Sequence, residues 1–365
     1  MHIVVFGLTV SSSWGNGHAT LWRALLKALA KRSHTVTFYE RNVSYYADTR
    51  DNWNPPPGVG LQLYESLDAI RTSAVRDLNA ADLAMFTSYC PDGPQAAELI
   101  LDSRALIKCF YDLDTPVTLS SLSRNDPVPY LPTKGLDAFD LVLSYTGGAA
   151  LTELRSRLGA RVTAPLYGSL DPEAYLPVPA LDQFRGILSY LGTFAADRQQ
   201  ALERLFLEPA RRLPTATFQL AGAQYPDSFS AMSNIIFTSH LAPQLHPAFF
   251  CSSRATLNIT RGVMARYGYC PSGRLFEAAA CGVPIVSDGW DGLDLFFTPG
   301  EEILRVETPE DIIGALSLPD ASLRRIGDAA RERALANHTA ERRVMELEDV
   351  CERVNDRMQA AAGPS

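Results

Sequence analysis

Short apolar runs alternate with helical segments along most of this chain, and this alternation restricts the possible folds more than any other sequence feature. Runs that are apolar on both faces, and too short for a buried helix, are typical of strands covered on both sides. Helical segments such as Ala19–Lys31 separate the runs, which predicts a parallel sheet with helices on both faces. The first series of expected strands comprises His2–Gly7, Thr35–Tyr39, Leu83–Thr87, Leu106–Tyr111, Leu141–Ser144 and a strand around Val162.

The same alternation starts again after a segment that contains prolines. Proline interrupts regular structure, so we interpret Asp171–Pro177 as the connection between two domains. The second series of expected strands comprises Ile187–Leu191, Thr217–Ala221, Ile235–Phe237, Ala255–Ile259, Pro284–Ser287 and Ile303–Val306. The helices expected among them include Arg198–Arg212, Pro243–Phe250 and Leu275–Cys281. The predicted fold class is α/β, with two Rossmann-like domains, 1–170 and 171–338, that face each other across a cleft.

Two further regions do not follow the alternation. The stretch Ala340–Met358 is helical and charged on one face, so we expect residues 339–365 to return towards the first domain and pack back across both domains. The last residues, from Ala360, are expected to form a loose tail. Thr49–Gly60 contains three consecutive prolines and is predicted to be a surface loop near the cleft.

Composition and charge disfavour several classes of protein. The chain has 365 residues, with 46% hydrophobic and 20% charged, as expected for a packed protein of two domains. A formal net charge of −8 argues against sequence-independent nucleic-acid binding, which needs a basic surface. The sequence shows no membrane-length apolar run and no signal peptide, so we expect a cytoplasmic protein. The six cysteines lack C-x-x-C pairing and are expected to be reduced core thiols.

The loop after the first expected strand is the first candidate site, because open α/β sheets bind ligands at such loops. Its glycines allow the backbone to approach a ligand, and the following helix start favours anions. The loop matches neither the G-x-G-x-x-G fingerprint nor a Walker loop, which disfavours NAD and ATP. His18 is a candidate general base for an acceptor hydroxyl, and a capping or structural role is the alternative. The predicted acceptor-side loop comprises Trp14, Gly15, Asn16 and Gly17.

Asp112 and Asp114 follow another apolar strand and form the second candidate site. Carboxylates two positions apart at a strand end can point in the same direction into a cleft. They could orient acceptor hydroxyls, act as a base or bind a cation. A solvated turn is the alternative, and the pattern does not require a metal ion.

The segment Pro271–Asp288 is the most specific pattern in the sequence. A polar turn opens a short helix of small residues that ends at Gly282, and its first amides can bind a diphosphate. Glu277 is a carboxylate among apolar neighbours and could accept hydrogen bonds from both vicinal hydroxyls of a ribose. Thr193 and Arg198 follow another expected strand and could bind phosphate oxygens, although a solvated role for Arg198 fits equally well.

As a set, these motifs resemble the GT-B glycosyltransferases, and more closely the CgeB-like group first named from spore maturation proteins of bacteria. The motifs that carry the resemblance are Phe6–Leu8 with Ser12–His18, Phe110–Pro116, Tyr190–Thr193 with Ala196–Arg198, Leu257–Arg261 and Arg274–Gly282. The resemblance implies a nucleotide-diphosphate sugar donor, with a UDP-sugar favoured, bound mostly by the second domain. It also implies a hydroxyl-bearing acceptor and no obligate metal or other cofactor.

The resemblance also implies roles for single residues. Glu277 matches the glutamate that holds the donor ribose in many GT-B enzymes, and His18 matches a histidine that many inverting members use as base. Tyr269 stands where retaining members often carry a second glutamate, so the sequence favours inversion. Without a metal, arginines and helix N-termini must stabilise the departing diphosphate. The predicted donor-binding residues are Gly192, Thr193, Arg198, Arg261, Arg266, Ser272, Gly273, Arg274, Glu277, Asp288, Asp291, Gly292 and Leu293.

Two other functions fit the same sequence. One is an epimerase or hydrolase of nucleotide sugars on the same fold. The other is a protein that has lost catalysis and serves as a binding or structural module. The sequence identifies neither the acceptor nor the oligomeric state, because the loops that choose an acceptor vary freely.

Overall fold

The computed structural model describes residues 1–226 and 232–362 and divides the chain into two compact units. The first unit is Met1–Tyr167 together with the C-terminal helix from Ala340, and the second is Gly168–Thr339. Each unit is an α/β domain built on one parallel sheet, which confirms the predicted fold class of two such domains. The sequence places the boundary after residue 170, and the contacts place it after Tyr167. No helix within the described ranges is long and apolar enough to cross a membrane.

The first sheet has seven parallel strands in the order β3-β2-β1-β4-β5-β6-β7. Its strands are β1 (His2–Gly7), β2 (Thr35–Arg41), β3 (Val59–Tyr64), β4 (Leu83–Thr87), β5 (Ile107–Asp112), β6 (Leu141–Ser144) and β7 (Thr163–Pro165). Its helices are α1 (Gly17–Lys31), α2 (Ser44–Ala47), α3 (Leu67–Asn79), α4 (Gly93–Leu101), α5 (Thr115–Ser123) and α6 (Ala149–Leu158). The strand order diverges between β1 and β4, and ligands bind beside such a switch point in open sheets.

Both faces of this sheet are covered, as the apolar runs predict. Alternate residues of β1 enter two different cores: Ile3 and Val5 join one, and Val4 and Phe6 join the other. All four side chains are buried. A strand of this kind has no polar face, which is why its sequence is a continuous apolar run.

The sequence misses one strand of the first sheet. The loop predicted over Thr49–Gly60 is wrong at its end, because Val59 and Gly60 begin β3, which pairs in parallel with β2. The strand lies at the sheet edge, and Gln62 and Leu63 are exposed. An edge strand with this exposure lacks the apolar run that marks the central strands.

The C-terminal helix, α14 (Ala340–Ala362), belongs to the first unit. Val344 and Leu347 are buried in the same core as β1. Glu348 binds both Arg32 and His34 at 2.6 Å, which fixes the helix beside the end of α1. The helix continues through Ala362, so the loose tail predicted from Ala360 is wrong for the residues that the structure describes; residues 363–365 lie outside them.

The second sheet has six parallel strands in the order β10-β9-β8-β11-β12-β13. Its strands are β8 (Gly186–Leu191), β9 (Phe218–Ala221), β10 (Ile235–Thr238), β11 (Ser253–Asn258), β12 (Ile285–Ser287) and β13 (Leu304–Arg305). Its helices are α7 (Gln199–Leu202), α8 (Glu208–Arg212), α9 (His246–Cys251), α10 (Gly262–Tyr267), α11 (Gly273–Ala280), α12 (Pro309–Leu316) and α13 (Asp320–Asn337). The strand order diverges between β8 and β11, so the loops after these strands border the second switch point.

The helix predicted over Arg198–Arg212 is present but irregular. Its middle part, Glu203–Leu207, is a π-helical turn between α7 and α8. Pro209 follows directly, and its ring and missing N–H cannot be fitted into regular α-helical hydrogen bonding. The wider π-turn removes that conflict while the helix keeps its direction.

Candidate functional site

Two carboxylates hold the loop that follows β1. The carboxylate of Glu40, at the end of β2, accepts hydrogen bonds from the amides of Val10 and Ser11 at 2.7 and 3.0 Å. Asp51 accepts another from the amide of Ser13 at 2.8 Å. A loop with its amides fixed in this way keeps one conformation without needing secondary structure of its own. Glu40 is not among the predicted site residues, although an acidic residue directly after an apolar strand is a pattern that could have indicated its role.

The predicted acceptor-side loop leads into α1. Gly15 has a φ of +60°, a conformation that favours glycine. Asn16 caps α1 by accepting a hydrogen bond from the amide of His18 at 3.1 Å. Trp14 is half-buried and Gly17 is exposed. The cap and the two carboxylates together hold His18 at a fixed place at the carboxyl end of β1.

His18, Asp114 and Tyr89 form a cluster at the carboxyl ends of β1, β5 and β4. The Nε2 atom of His18 lies 3.6 Å from Oδ2 of Asp114, and the two side chains are 21% and 17% exposed. The Nδ1 atom of His18 is buried and forms no hydrogen bond with any described residue. An imidazole beside a carboxylate can accept a proton, because the carboxylate stabilises the imidazolium that forms.

Tyr89 is a member of this cluster that the sequence analysis missed. Its ring centroid lies 5.8 Å from that of His18. Burial raises the pKa of Tyr89, and the charge of Asp114 raises it further. Its φ of +62° is unusual for a bulky residue, and such strain is concentrated at functional sites. Backbone strain leaves no mark in a single sequence.

Asp112 and Asp114 have different surroundings, contrary to the expectation that both point into a cleft. Asp112 is fully buried, and its Oδ1 accepts a hydrogen bond from the amide of Asp114 at 3.1 Å. Burial raises the pKa of Asp112 to about 6, and the hydroxyl of Thr118 opposes this rise. Only Asp114 keeps part of its carboxylate accessible to a substrate. Asp112 therefore supports the turn that presents Asp114.

In the second unit, the side chain of Arg274 reaches from the start of α11 to the end of β8. Its guanidinium lies 5.4 Å from the ring centroid of Tyr190, a cation–π contact, and Nη1 donates to Oδ1 of Asn258 at 3.3 Å. The buried Nε atom forms no hydrogen bond with a described residue. Gly192 leaves space for this arrangement, because a Cβ there would lie 3.0 Å from Nη2 of Arg274 and 2.6 Å from the Tyr190 hydroxyl.

Arg198 places a second guanidinium at the same switch point. The residue is 8% exposed, and its Nη2 donates to the carbonyl of Thr193 at 2.8 Å. Its Nε atom, like that of Arg274, is buried without a hydrogen bond to any described residue. Burial lowers the pKa of Arg274, and the nearby charge of Arg198 lowers it further. Among the described residues, neither arginine has a carboxylate within ion-pair distance, although the charge of Glu277 opposes the lowering of the Arg274 pKa. Both guanidinium groups can therefore still bind an anion.

Glu277 lies three residues after Arg274 on α11 and is buried. Residues with this spacing occupy the same side of a helix. Ser272 precedes the helix without capping it through its side chain. The amide of Leu275 donates to the carbonyl of Ser272 at 3.0 Å, so the amides of Gly273 and Arg274 are the ones that can bind another acceptor. One helix thus presents amides, a cation and a carboxylate in sequence.

Other predicted donor residues have different contacts. Both carboxylate oxygens of Asp288 accept hydrogen bonds from Thr260, one from its amide at 2.9 Å and one from its hydroxyl at 3.0 Å. Burial raises the pKa of Asp288, and these hydrogen bonds oppose the rise. Arg261 pairs with Asp197 at 3.3 Å, and Arg266 is exposed on α10. Asp288 therefore braces the loop after β11, whereas Arg266 lies on the surface of α10.

Comparison with known proteins finds a family model that matches part of the chain and several solved structures that share its fold. Residues 198–349 match a family described as glycosyl transferase-like. No curated protein matches the sequence at a significant level. Sucrose-phosphate synthase from Thermosynechococcus elongatus has a similar structure, with a TM-score of 0.69 at 15% identity over 100% of both chains. An alpha-glucosyltransferase solved with UDP-glucose and DNA has a TM-score of 0.68 at 13% identity, over 96% of this chain and 99% of that chain. The Anabaena protein HepE, solved with UDP and glucose, has a TM-score of 0.65 at 13% identity over the same shares.

The chain has the GT-B glycosyltransferase fold. Within that fold, Tyr269 is the residue on which the expectation of inversion depends. Tyr269 has a φ of +48°, and its amide donates to the carbonyl of Asp291 at 2.6 Å. Its ring packs over Gly292, where a Cβ would lie 2.4 Å from a ring carbon. An aromatic ring therefore occupies this position of the GT-B chain.

In the turn after β12, fewer side chains are available to bind a donor sugar than the sequence predicts. The side chain of Leu293 is buried, so only its backbone could meet a sugar. Asp291 is exposed and remains a candidate. In residues 1–226 and 232–362, no group of three or more His, Cys, Asp or Glu side chains is arranged to hold a metal ion.

Proposed function

We propose that this protein transfers a sugar from a nucleoside-diphosphate sugar, with a UDP-sugar as favoured donor, to a hydroxyl group of an acceptor. The observation that carries the proposal is that the buried Arg198 and the half-buried Arg274 lie at one switch point with buried Nε atoms that form no hydrogen bond, and that neither has a carboxylate within ion-pair distance among the described residues. Burying a guanidinium without a counter-ion is costly, and planar guanidinium groups bind phosphate oxygens well. A diphosphate supplies the missing negative charge.

The order of groups along α11 supports a nucleoside diphosphate over a simple phosphate. Uncapped amides and Arg274 lie at the start of the helix, and Glu277 follows one turn later on the same side. In a nucleoside diphosphate, the ribose hydroxyls lie a short distance from the phosphates, comparable to the single helical turn that separates Arg274 from Glu277. Glu277 would accept hydrogen bonds from those hydroxyls while Arg274 and Arg198 bind the phosphates.

His18 and Asp114 supply the acceptor chemistry in this proposal. The acceptor oxygen attacks the anomeric carbon, and the bond from that carbon to the diphosphate breaks with its electron pair. The proton of the acceptor hydroxyl goes to His18, and Asp114 stabilises the resulting imidazolium. Attack on the face opposite the diphosphate inverts the anomeric configuration, and the presence of Tyr269 instead of a carboxylate supports this prediction. Assignment to the CgeB-like group also stays a prediction.

The two arginines would neutralise the departing diphosphate, so we expect activity without a divalent metal. Structures similar to this one were solved with UDP or UDP-glucose, which supports uridine nucleotides as the first donors to test.

Calorimetry with UDP, UDP-glucose and the matching GDP-, ADP- and TDP-sugars tests donor binding directly. We expect a UDP-sugar to bind, and labelled sugar to reach an acceptor in the presence of EDTA. A folded protein that binds none of these nucleotides would refute the proposal. Release of free sugar that is independent of any acceptor would show hydrolysis instead of transfer, and NMR of a glycoside product would test inversion.

A further inference from the structure

Asn258 is a buried amide at the end of β11, next to the proposed diphosphate site. Ala255 and Leu257 of this strand pack into the apolar core of the second unit. Because successive side chains of a strand point to opposite faces, Thr256 and Asn258 lie on the other face of the sheet. Asn258 is only 1% exposed. A buried amide is costly unless its polar atoms are hydrogen-bonded, so the partners of Asn258 are informative.

The side chain of Asn258 forms three hydrogen bonds. Its Oδ1 atom accepts from Nη1 of Arg274 at 3.3 Å. Its Nδ2 atom donates to Oγ of Ser287 at 3.0 Å and to Oγ1 of Thr260 at 3.4 Å. A guanidinium can only donate, so the Asn258 atom that faces Arg274 must be the oxygen. The amide nitrogen must then face the two hydroxyls.

Asp288 determines the direction of both hydroxyls. The Thr260 hydroxyl donates to Oδ1 of Asp288 at 3.0 Å, and the Ser287 hydroxyl donates to the backbone carbonyl of Asp288 at 3.0 Å. Each hydroxyl has therefore already donated its proton and meets Asn258 with a lone pair. The amide of Asp288 also donates to the backbone carbonyl of Asn258 at 3.3 Å. These contacts hold the Asn258 side chain in one orientation, with its oxygen towards Arg274.

The contact with Asn258 determines which edge of the Arg274 guanidinium remains for a ligand. Asn258 binds Nη1, whereas Nε forms no hydrogen bond with a described residue. Nη2 lies beside Gly192, where a Cβ would be 3.0 Å away from it. The N–H groups of Nε and Nη2 lie on the same edge of a guanidinium, and such an edge can bind two oxygens of one phosphate in parallel.

We propose that Asn258 is a positioning residue that orients the Arg274 guanidinium so that its Nε and Nη2 edge binds the donor diphosphate. This inference rests on the proposed function, because it takes Arg274 as a ligand of the diphosphate. An arginine side chain that is already ordered loses less conformational entropy when the donor binds. Asparagine is suited to this role, because it holds Nη1 without a negative charge that would compete with the phosphate for Arg274.

The Asn258→Leu variant tests the inference through a ratio of affinities. It removes the acceptor of Nη1 at similar volume, while the hydroxyls of Ser287 and Thr260 can still donate to Asp288. We expect calorimetry to show about tenfold weaker binding of UDP and unchanged binding of uridine, which lacks the diphosphate. Both affinities come from the same folded preparation, so a loss of stability alone does not change their ratio. Thr256→Val, on the same face of β11, is the matched control and should keep the wild-type ratio.

Asn258→Ser is a second variant, in which the side chain stays polar but is too short to reach Arg274. It should show the same loss of UDP affinity relative to uridine. A double-mutant cycle with Arg274→Met then separates positioning from a general effect on the domain. If Asn258 acts through Arg274, adding Asn258→Leu to Arg274→Met causes no further loss of UDP affinity.

Two results would overturn the inference while leaving the proposed function intact. One is a wild-type ratio of UDP to uridine affinity in both Asn258 variants. The other is a loss of UDP affinity that is as large in the Arg274→Met background as in the wild-type protein. Failure of the wild-type protein to bind UDP at all would instead overturn the proposed function, and this inference with it.

Discussion

The Nε2 atom of His18 lies 3.6 Å from the Oδ2 atom of Asp114, although the residues are far apart in sequence. His18 follows β1 and Asp114 follows β5, and β4 lies between these two strands in the sheet. Tyr89, which follows β4, lies beside His18, with ring centroids 5.8 Å apart. Three neighbouring strands of one parallel sheet thus each contribute a polar side chain at their carboxyl ends, as in many α/β ligand sites.

Replacing His18 should stop proton removal from the acceptor without affecting donor binding. We expect His18→Gln to lower kcat by roughly a hundredfold or more, a typical contribution of general base catalysis. The affinity for UDP, measured by calorimetry, should stay within twofold of the wild-type value. His2→Gln is a matched control at the opposite end of β1 and should keep full activity. Full activity of His18→Gln would remove this residue from the mechanism.

Asp114 should act through His18, so the effects of the two substitutions should not add. We expect Asp114→Asn to lower kcat less than His18→Gln does, because the base remains and only the stabilisation of its charged form is lost. In the double variant, Asp114→Asn should cause almost no further loss. Steady-state rates of the wild-type protein, the two single variants and the double variant, measured at saturating donor, give the coupling between His18 and Asp114. If the loss in kcat of the double variant were instead the product of the two single losses, Asp114 would have an independent role.

Arg274 should bind the diphosphate and not the nucleoside. We expect Arg274→Met to weaken UDP binding by about 10- to 100-fold, the value of hydrogen bonds to charged groups, and to leave uridine binding unchanged. The melting temperature should not fall, since the substitution removes a half-buried charge that has no carboxylate within ion-pair distance among the described residues. Arg204→Met, at an exposed position, serves as the control. An equal loss for UDP and uridine would contradict the assignment.

The sequence predicts most of the two sheets because their central strands are buried on both faces. It fails at β3, where Gln62 and Leu63 are exposed at the sheet edge and no apolar run forms. The site is harder to predict, since single residues acquire their roles from partners distant in sequence. Arg198, a helix arginine with two equal interpretations in the sequence, becomes informative only when its burial and missing counter-ion are seen. Tyr175 occurs in a proline-containing segment, and nothing in that pattern indicates that its hydroxyl lies 3.3 Å from Nδ1 of His246.

Cys251 should be the most reactive thiol of the chain. It is half-buried, whereas the other cysteines are buried. A hydrogen bond from Cys281 is the main cause that lowers the pKa of Cys251, whereas burial raises the pKa of Cys90 and of Cys351 to about 12. The thiolate is the nucleophile, so iodoacetamide at pH 7.5 should label Cys251 first. Peptide mapping by mass spectrometry checks the site. Cys251→Ser should abolish the fast phase of labelling by iodoacetamide. Early labelling of another cysteine would contradict the expectation.

Asp112 should make the stability of the first domain depend on pH. Its pKa rises from 3.8 to about 6 on folding because the carboxyl is fully buried, so the folded state binds the proton more tightly between these values. Stability therefore falls as pH rises from about 4 to about 6, and above pH 6 the ionised group costs up to about 3 kcal/mol. Asp112→Asn removes this cost, so we expect a higher unfolding midpoint in urea at pH 7.5 and no difference at pH 4. Asp126→Asn, at an exposed ion pair with Arg124, is the control and should change neither midpoint. A stabilisation that is the same at both pH values would show that ionisation of Asp112 is not its cause.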